Sequence, residues 1–305
     1  MIEVKGLSKR FGDTLAVDDI SFNLSKGEVL GFLGPNGAGK STTMKMISGF
    51  LSPTSGTALI NGYDVRNKPI EVKRAIGYLP EGAPMWADMS VWGFLKFISS
   101  VRGFKSDDAE NKVQKAAALT QLNDVLMQPI ETLSKGFKRR VGLAQAMLHD
   151  PEILILDEPT DGLDPNQKHQ VRKLIQKMAH EKAIIISTHI LEEVESVCTR
   201  AMIIAKGKLL TDATPRELLK KSRHYNAVSI AVPNTEKAQK ILEELDSVRR
   251  VQPIGENWLM AYPKNKGPIN EEVAQALRSA RLKINEIRTE SGRLDDVFRT
   301  ITRQS

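Results

Sequence analysis

The chain is poor in several things, and each shortage removes a class of function. One cysteine, Cys198, occurs in 305 residues, so no disulfide can form within the chain and a reducing compartment is the expected setting. A lone thiol of this kind most often serves as a small apolar side chain, and no chemistry is assigned to it. No apolar run approaches the roughly 20 residues that cross a bilayer. The opening MIEVKGLSKRFG has no apolar signal core, so export is not expected. Aromatic residues make up only 5 %, and no basic stretch is interleaved with them as on a nucleic-acid-binding face. The net charge of +7 suits an anionic partner, but it is thinly spread. Residues 1–220 hold 29 basic against 26 acidic side chains, and residues 221–305 hold 15 against 11. That dilution makes nucleic acid an unlikely partner. Only KGFKRR, residues 135–140, concentrates positive charge.

What remains is the composition of a globular protein, 41 % hydrophobic and 27 % charged, long enough for one large or two modest domains. IEVKGLSKRF and TLAVDDISFNL alternate apolar and polar residues, as half-exposed antiparallel strands do. GEVLGFLG, AIGYLP, EILILDEP and KAIIISTH are continuous apolar runs, the pattern of a parallel sheet covered on both faces. SVWGFLKFISSVRGF through DDAENKVQKAAALTQL is mostly helical, and MIIAKGKLLTDA predicts a hairpin turning at Lys206-Gly207. After KKSRHYN the pattern changes to β-α-β-β-α-β, the order of a split βαβ, ferredoxin-like unit, closed by a helix over RLDDVFRTIT. The expected boundaries are 1–222 and 223–305, with a helical subdomain over about 86–150.

Two segments carry chemistry. GPNGAGKST, Gly34 to Thr42, follows the strand GEVLGFL and precedes the helix KSTTMKMISGF. It fits G-x-x-x-x-G-K-[ST], in which glycines turn backbone N–H groups inward onto phosphate oxygens. Lys40 then reaches the outer phosphates, Ser41 offers a hydroxyl to Mg²⁺, and the helix start adds its positive end. In EILILDEP, Ile153 to Leu156 deliver Asp157 and Glu158 to the C-terminal edge of a buried strand, where ligands bind in open α/β sheets. Asp157 there can hold Mg²⁺ and Glu158 can orient the water that attacks the γ-phosphate.

With these motifs in place, residues 1–220 resemble the nucleotide-binding subunit of an ABC transporter. Between them lies LSKGF, residues 133–137, which is similar to that family's LSGGQ signature; alone it would be only a helix cap. The resemblance implies an α/β fold: a P-loop ATPase domain of ABC type with an antiparallel β subdomain and a helical subdomain, followed by a small α+β ferredoxin-like domain. It implies ATP and Mg²⁺ as cofactors, and ATP binding by Phe11, stacked on adenine, and by Gly34, Pro35, Asn36, Gly37, Ala38, Gly39, Lys40, Ser41 and Thr42. It assigns catalysis to Glu158, His189 and Lys40, and metal contacts to Ser41, Glu81 and Asp157. Ser134, Lys135 and Gly136 would bind the γ-phosphate held by a second copy, and Asp164 in DGLDP would communicate across that dimer. The partner implied is a separate integral-membrane permease, which places the chain at the cytoplasmic face of a cell membrane.

The sequence departs from the family pattern in three places. Lys135 replaces the first signature glycine and would add a cation near the trans phosphate. Phe137 replaces the signature glutamine. Glu81, in IGYLPE, replaces a neutral glutamine with an anion. The combination of YLPE, LSKGF and an appended small domain resembles ATPases of the ABC-2 export class, including gliding-motility-type subunits. A soluble ABC-type ATPase acting on a ribosome or nucleic acid is the rival reading. Such relatives generally carry two cassettes or a long coiled coil, whereas one phosphate loop and no sustained heptads occur here. The histidines His149, His169, His180 and His224 fall outside any motif and are read as structural.

Overall fold

The alternating pattern at the start of the chain forms two long antiparallel strands, β1 (Ile2–Phe11) and β2 (Thr14–Leu24), with Ile2, Val4, Leu7, Val17 and Ile20 turned inward and buried. In the computed structural model, which describes residues 1–82 and 85–303, β3 (Val29–Leu33) then leads through the phosphate loop into α1 (Lys40–Ile47). β4 (Ser55–Ile60) and the short β5 (Tyr63–Asp64) complete an antiparallel sheet of order β2-β1-β4-β5.

α2 (Pro69–Ala75) and β6 (Ile76–Leu79) precede a helical layer of α3 (Val91–Val101), α4 (Ser106–Leu119) and α5 (Lys135–Met147). Phe94, Leu95, Val113, Ala117, Val141 and Leu148 form the layer's own core. β7 (Ile153–Asp157), α6 (Pro165–Ala179), β8 (Ala183–Thr188) and α7 (Leu191–Val197) follow, and β9 (Arg200–Ala205) and β10 (Lys208–Ala213) close the first unit as a hairpin. The second sheet has the order β10-β9-β3-β8-β7-β6, parallel throughout except for the β9–β10 hairpin at its edge. Every residue of β3, β7 and β8 is buried, which is why these strands read as unbroken apolar runs. A single core joins Ile20 and Ile60 of the first sheet, Met44 and Ile47 of α1, and Phe32, Ile155 and Ile185 of the second. Each such side chain contributes roughly 1.5–3 kcal/mol on full burial, so α1 is fixed firmly between the sheets. Cys198 is buried as well, and burial pushes its thiol up to about 12, out of reach of thiolate chemistry at neutral pH.

The chain separates into two compact units at Ala213/Thr214, nine residues before the change of pattern at residue 223. α8 (Pro215–Lys221) belongs to the second unit. A capping box of Thr214 and Glu217 starts it, and it packs against α11 (Leu294–Arg303) at the far end of the sequence, a contact no local pattern announces. Between them run β11 (Val228–Ala231), α9 (Thr235–Glu243), β12 (Val248–Gly255), β13 (Trp258–Pro263), α10 (Asn270–Ser279) and β14 (Glu286–Thr289). The sheet order is β12-β13-β11-β14 with every pairing antiparallel, so β13 separates β11 from β12 as in a split βαβ unit. Ile230, Leu242, Leu259 and Val273 lie in its core. Residues 83–84 and 304–305, which fall within the two expected domains, lie outside the described residues. No described helix is long and apolar enough to cross a membrane.

Candidate functional site

The phosphate loop is shaped by what surrounds it. Gly34 follows β3 directly, and a Cβ there would stand 2.4 Å from the Ile204 carbonyl oxygen. Gly39 has φ of 101°, and its Cβ would stand 2.5 Å from the Ala16 carbonyl oxygen. Both positions therefore require glycine. The β9–β10 turn at Lys206-Gly207, with φ of 48° and 80°, buttresses the loop through Gly207 N–H, which donates to Ala38 O at 3.1 Å. α1 starts at Lys40 without a side-chain cap, which leaves its first N–H groups available to an anion. The buried Lys40 ammonium donates to the Gly34 and Pro35 carbonyls at 2.7 and 3.2 Å. Burial draws its pKa below the usual lysine value, while Glu158, Asp157 and Glu81 pull the other way.

Two of those carboxylates, Glu81 and Glu158, face the same space. A cavity of about 570 Å³ is lined by Phe11 and Ala16, by the loop from Asn36 to Thr42, and by Glu81 and Glu158, a volume within the range of small-molecule sites. Phe11 is 48 % exposed at the end of β1, with the Lys9 ammonium 5.2 Å from its ring centroid. Gly34 and Pro35 form the base of the loop and engage Lys40 rather than the cavity.

At the end of β7, Asp157 is wholly buried. One carboxylate oxygen accepts from Ser187 Oγ, and the other has no hydrogen-bond partner. Glu158 turns out of the strand with φ of 51°, a left-handed conformation that a non-glycine residue rarely adopts. Its N–H donates to Ser187 O at 3.0 Å, and its carboxylate lies 3.0 Å from His189 Nδ1. Burial raises the Glu158 carboxyl above the ordinary carboxylate range, and the His189 hydrogen bond opposes that shift.

Two residues that no motif singles out hold this edge together. Arg139 on α5 is buried and donates to the carbonyls of Pro80, Asp157 and Glu158, fastening the segment that carries Glu81 to the strand end that carries the acids. Glu193 on α7, also buried, accepts from Thr160 and from Thr188 at 2.7 Å, so it ties the segment after Glu158 to the one that leads into His189. Arg139 lies within KGFKRR and Glu193 within STHILEEVE, but their partners are dispersed along the chain.

The signature and the DGLDP segment stand apart, since Ser134, Lys135, Gly136 and Asp164 do not line this cavity. Ser134 caps α5 by accepting from Phe137 N–H at 3.3 Å, and Asp164 caps α6 by accepting from Gln167 N–H at 2.9 Å. The Phe137 ring packs beneath the Arg140 guanidinium, 5.5 Å away. Lys135 is not a free cation: its ammonium pairs with Asp161 at 2.9 Å and its stem covers Gly162, so part of its charge is offset within the chain. Of the four remaining histidines none lines the cavity; His149 bonds the Ile76 carbonyl at 3.0 Å and His224 bonds Asp296.

Residues 17–161 match the family model described as ABC transporter. The Nod factor export ATP-binding protein I of Burkholderia lata is 32 % identical over 269 residues, which cover 88 % of each chain. The chain belongs to the ABC transporter ATP-binding family. A probable multidrug ABC transporter ATP-binding protein of Escherichia coli, YbhF, is 36 % identical over 219 residues, which are 72 % of this chain but only 38 % of that longer relative. Among solved structures, an ATP binding subunit of an ABC transporter superposes with a TM-score of 0.67 at 29 % identity, covering 72 % of this chain and 92 % of the other. The first unit is therefore an ABC ATPase domain, and the sheets, helical layer and phosphate loop described above are that domain's parts.

Proposed function

We propose that this chain is the ATP-hydrolysing subunit of an ABC transporter, acting with a second copy of itself to drive a separate membrane permease. One observation carries the reading: Lys40, Ser41 and Glu158 face a single cavity, with the buried, unpartnered oxygen of Asp157 at the adjoining strand end. In this role the loop N–H groups and the start of α1 receive the phosphates. Lys40 exchanges its bonds to Gly34 and Pro35 for bonds to phosphate oxygens, and Phe11 stacks on the adenine. Glu158, half-buried and with a raised pKa, orients and polarises the attacking water, while His189 holds its carboxylate in place.

The residues present fit Mg²⁺. An orphaned carboxylate oxygen in the interior is costly without a cation or donor beside it. Mg²⁺ uses one or two carboxylates together with substrate oxygens rather than an all-protein cage. No cluster of three His, Cys, Asp or Glu occurs among the described residues, in keeping with that habit. Ser41, Asp157 and Glu81 would hold the ion, which when bound offsets charge on the outer phosphates.

Ser134, Lys135 and Gly136 lie outside their own chain's cavity, so they complete the site of the partner copy, with the N-terminal end of α5 facing its γ-phosphate and Asp164 relaying between the two sites. The permease docks beside the segment that follows Glu81, where Trp86 and Phe97 are 52 % and 42 % exposed and pack on each other. YLPE, LSKGF, the appended second unit and the export function named for one relative together favour the ABC-2 export class. The chain then works at the cytoplasmic face of the membrane, and the second unit stabilises or regulates the dimer.

The test is co-purification of Glu158→Gln, held with ATP and Mg²⁺, from gently solubilised native membranes, with the retained proteins identified by mass. A polytopic membrane protein in stoichiometric amount supports this reading. Ribosomal proteins or DNA without a membrane partner would replace it with that of a soluble ABC-type ATPase.

A further inference from the structure

The second unit contains a cavity of about 400 Å³ whose wall is cationic. Arg249 from β12, Lys264 and Lys266 from the segment after β13, and Arg299 and Arg303 from α11 all border it, together with Arg223. Arg299 and Arg303 are four residues apart on one helix, so both point from the same face. Among the described residues Asp296 is the one carboxylate in the wall, and it is already engaged. It accepts from His224, lies 3.2 Å from the Ser222 hydroxyl and 3.3 Å from the Arg223 guanidinium. Lys266 donates to the main-chain carbonyls of Lys220 and Lys221 at 3.0 and 3.1 Å. Arg249, Lys264, Arg299 and Arg303 differ, because their side chains make no hydrogen bond or ion pair to a described residue.

Like charges gathered around a concave wall repel one another, and the low dielectric of the wall focuses their field into the cavity. Nothing in the packing of the unit requires this. The fold's core lies elsewhere, around Ile230, Leu242 and Leu259. The arrangement becomes favourable when an anion occupies the cavity, and guanidinium forks match phosphate oxygens in geometry as well as in charge. We propose that this cavity binds a phosphate-bearing anion, whether a free polyphosphate or the headgroup of an anionic lipid. It has no glycine-rich loop and no strand-end acids, so it is a second anion site, independent of the one that binds ATP.

The test uses the full chain carrying Lys40→Ala, so that anion binding at the phosphate loop is weakened. Inorganic pyrophosphate is titrated by calorimetry, and co-sedimentation is measured with phosphatidylglycerol and with phosphatidylcholine vesicles. The comparison is with the same chain carrying Arg249→Glu and Arg299→Glu. Saturable pyrophosphate binding, at least about tenfold weaker in the double variant, identifies a free phosphate ligand. Co-sedimentation with phosphatidylglycerol alone, lost in the double variant, identifies a lipid headgroup. Arg249→Gln with Arg299→Gln gives an intermediate loss and guards against misfolding, which an unchanged melting curve checks separately. Absence of both kinds of binding, or binding that neither variant weakens, overturns the proposal. Restored to a Lys40 background, the double variant keeps its basal ATPase rate, so failure here leaves the reading of the first unit standing.

Discussion

The two units handle charge in opposite ways. In the first, buried ionisable groups are matched by neutral partners: Lys40 by loop carbonyls, Arg139 by the carbonyls around Asp157, and Glu193 by two threonine hydroxyls, with one Asp157 oxygen and Arg139 Nε left without a hydrogen-bond partner. In the second, Arg249, Lys264, Arg299 and Arg303 border a cavity with no side-chain hydrogen bond or ion pair among the described residues. A network already matched within the protein positions chemistry, because its groups are held before substrate arrives. A wall of unmatched cations can only wait for an anion. On the functions proposed above, the first arrangement serves catalysis and the second binding.

That contrast can be broken or sharpened by substitution. The largest effect is expected from Lys40→Ala, which removes the one ammonium in the ATP cavity. ATP affinity should fall by about two orders of magnitude, the loss of charge-assisted hydrogen bonds worth about 3 kcal/mol, as a fluorescent-nucleotide titration would show. Unchanged affinity would mean that the loop N–H groups alone hold the phosphates. Glu193→Gln tests whether the matched network positions the site. A glutamine cannot accept from both Thr160 and Thr188 through equivalent oxygens, so kcat should drop about tenfold with KM nearly unchanged. A rise in KM alone would assign Glu193 to binding instead. Glu81→Gln should retain at least part of the ATPase activity, because it restores the family's neutral residue; complete inactivation of a folded variant would refute this.

The smallest expected effect concerns stability. Burial, helped by Arg102, lowers the His149 pKa to about 4, below the usual histidine value of about 6.5. The folded chain thus binds fewer protons than the unfolded one between those values. The stability held above pH 6.5 or so is lost as pH falls towards 4, by on the order of 2–3 kcal/mol. Urea melts near neutral pH and near pH 5 should diverge for the native chain, and less so for His149→Gln.

The parts of the first unit that were legible in sequence are those written contiguously. The phosphate loop, the Asp157-Glu158 pair and His189 each follow a buried strand, and strand, turn and site residue are adjacent in the chain. Arg139 and Glu193 were not legible, because their partners lie 18 to 59 and 5 to 33 residues away. Lys135 stands in the sequence as an added cation, and only the fold brings Asp161 to its ammonium. The division at Ala213/Thr214 differs from the boundary expected at 222/223 for a similar reason. α8 reads as a tail of the preceding hairpin, and only its packing on α11, at the other end of the second unit, assigns it there. The cationic cavity was hidden in the same way, since its residues are scattered from Lys221 to Arg303 and share no motif.

Single-turnover hydrolysis by Glu158→Gln, followed together with nucleotide retention and pH, tests the central claim most directly. The account predicts that the variant binds ATP and Mg²⁺ as the native chain does, and hydrolyses at least about a hundredfold more slowly. The native rate should fall on the acid side at a pH above the ordinary carboxylate range, because burial raises the Glu158 pKa and only the ionised form polarises water. Near-native hydrolysis by Glu158→Gln, with the same acid limb, would contradict the assignment and place the reacting water elsewhere.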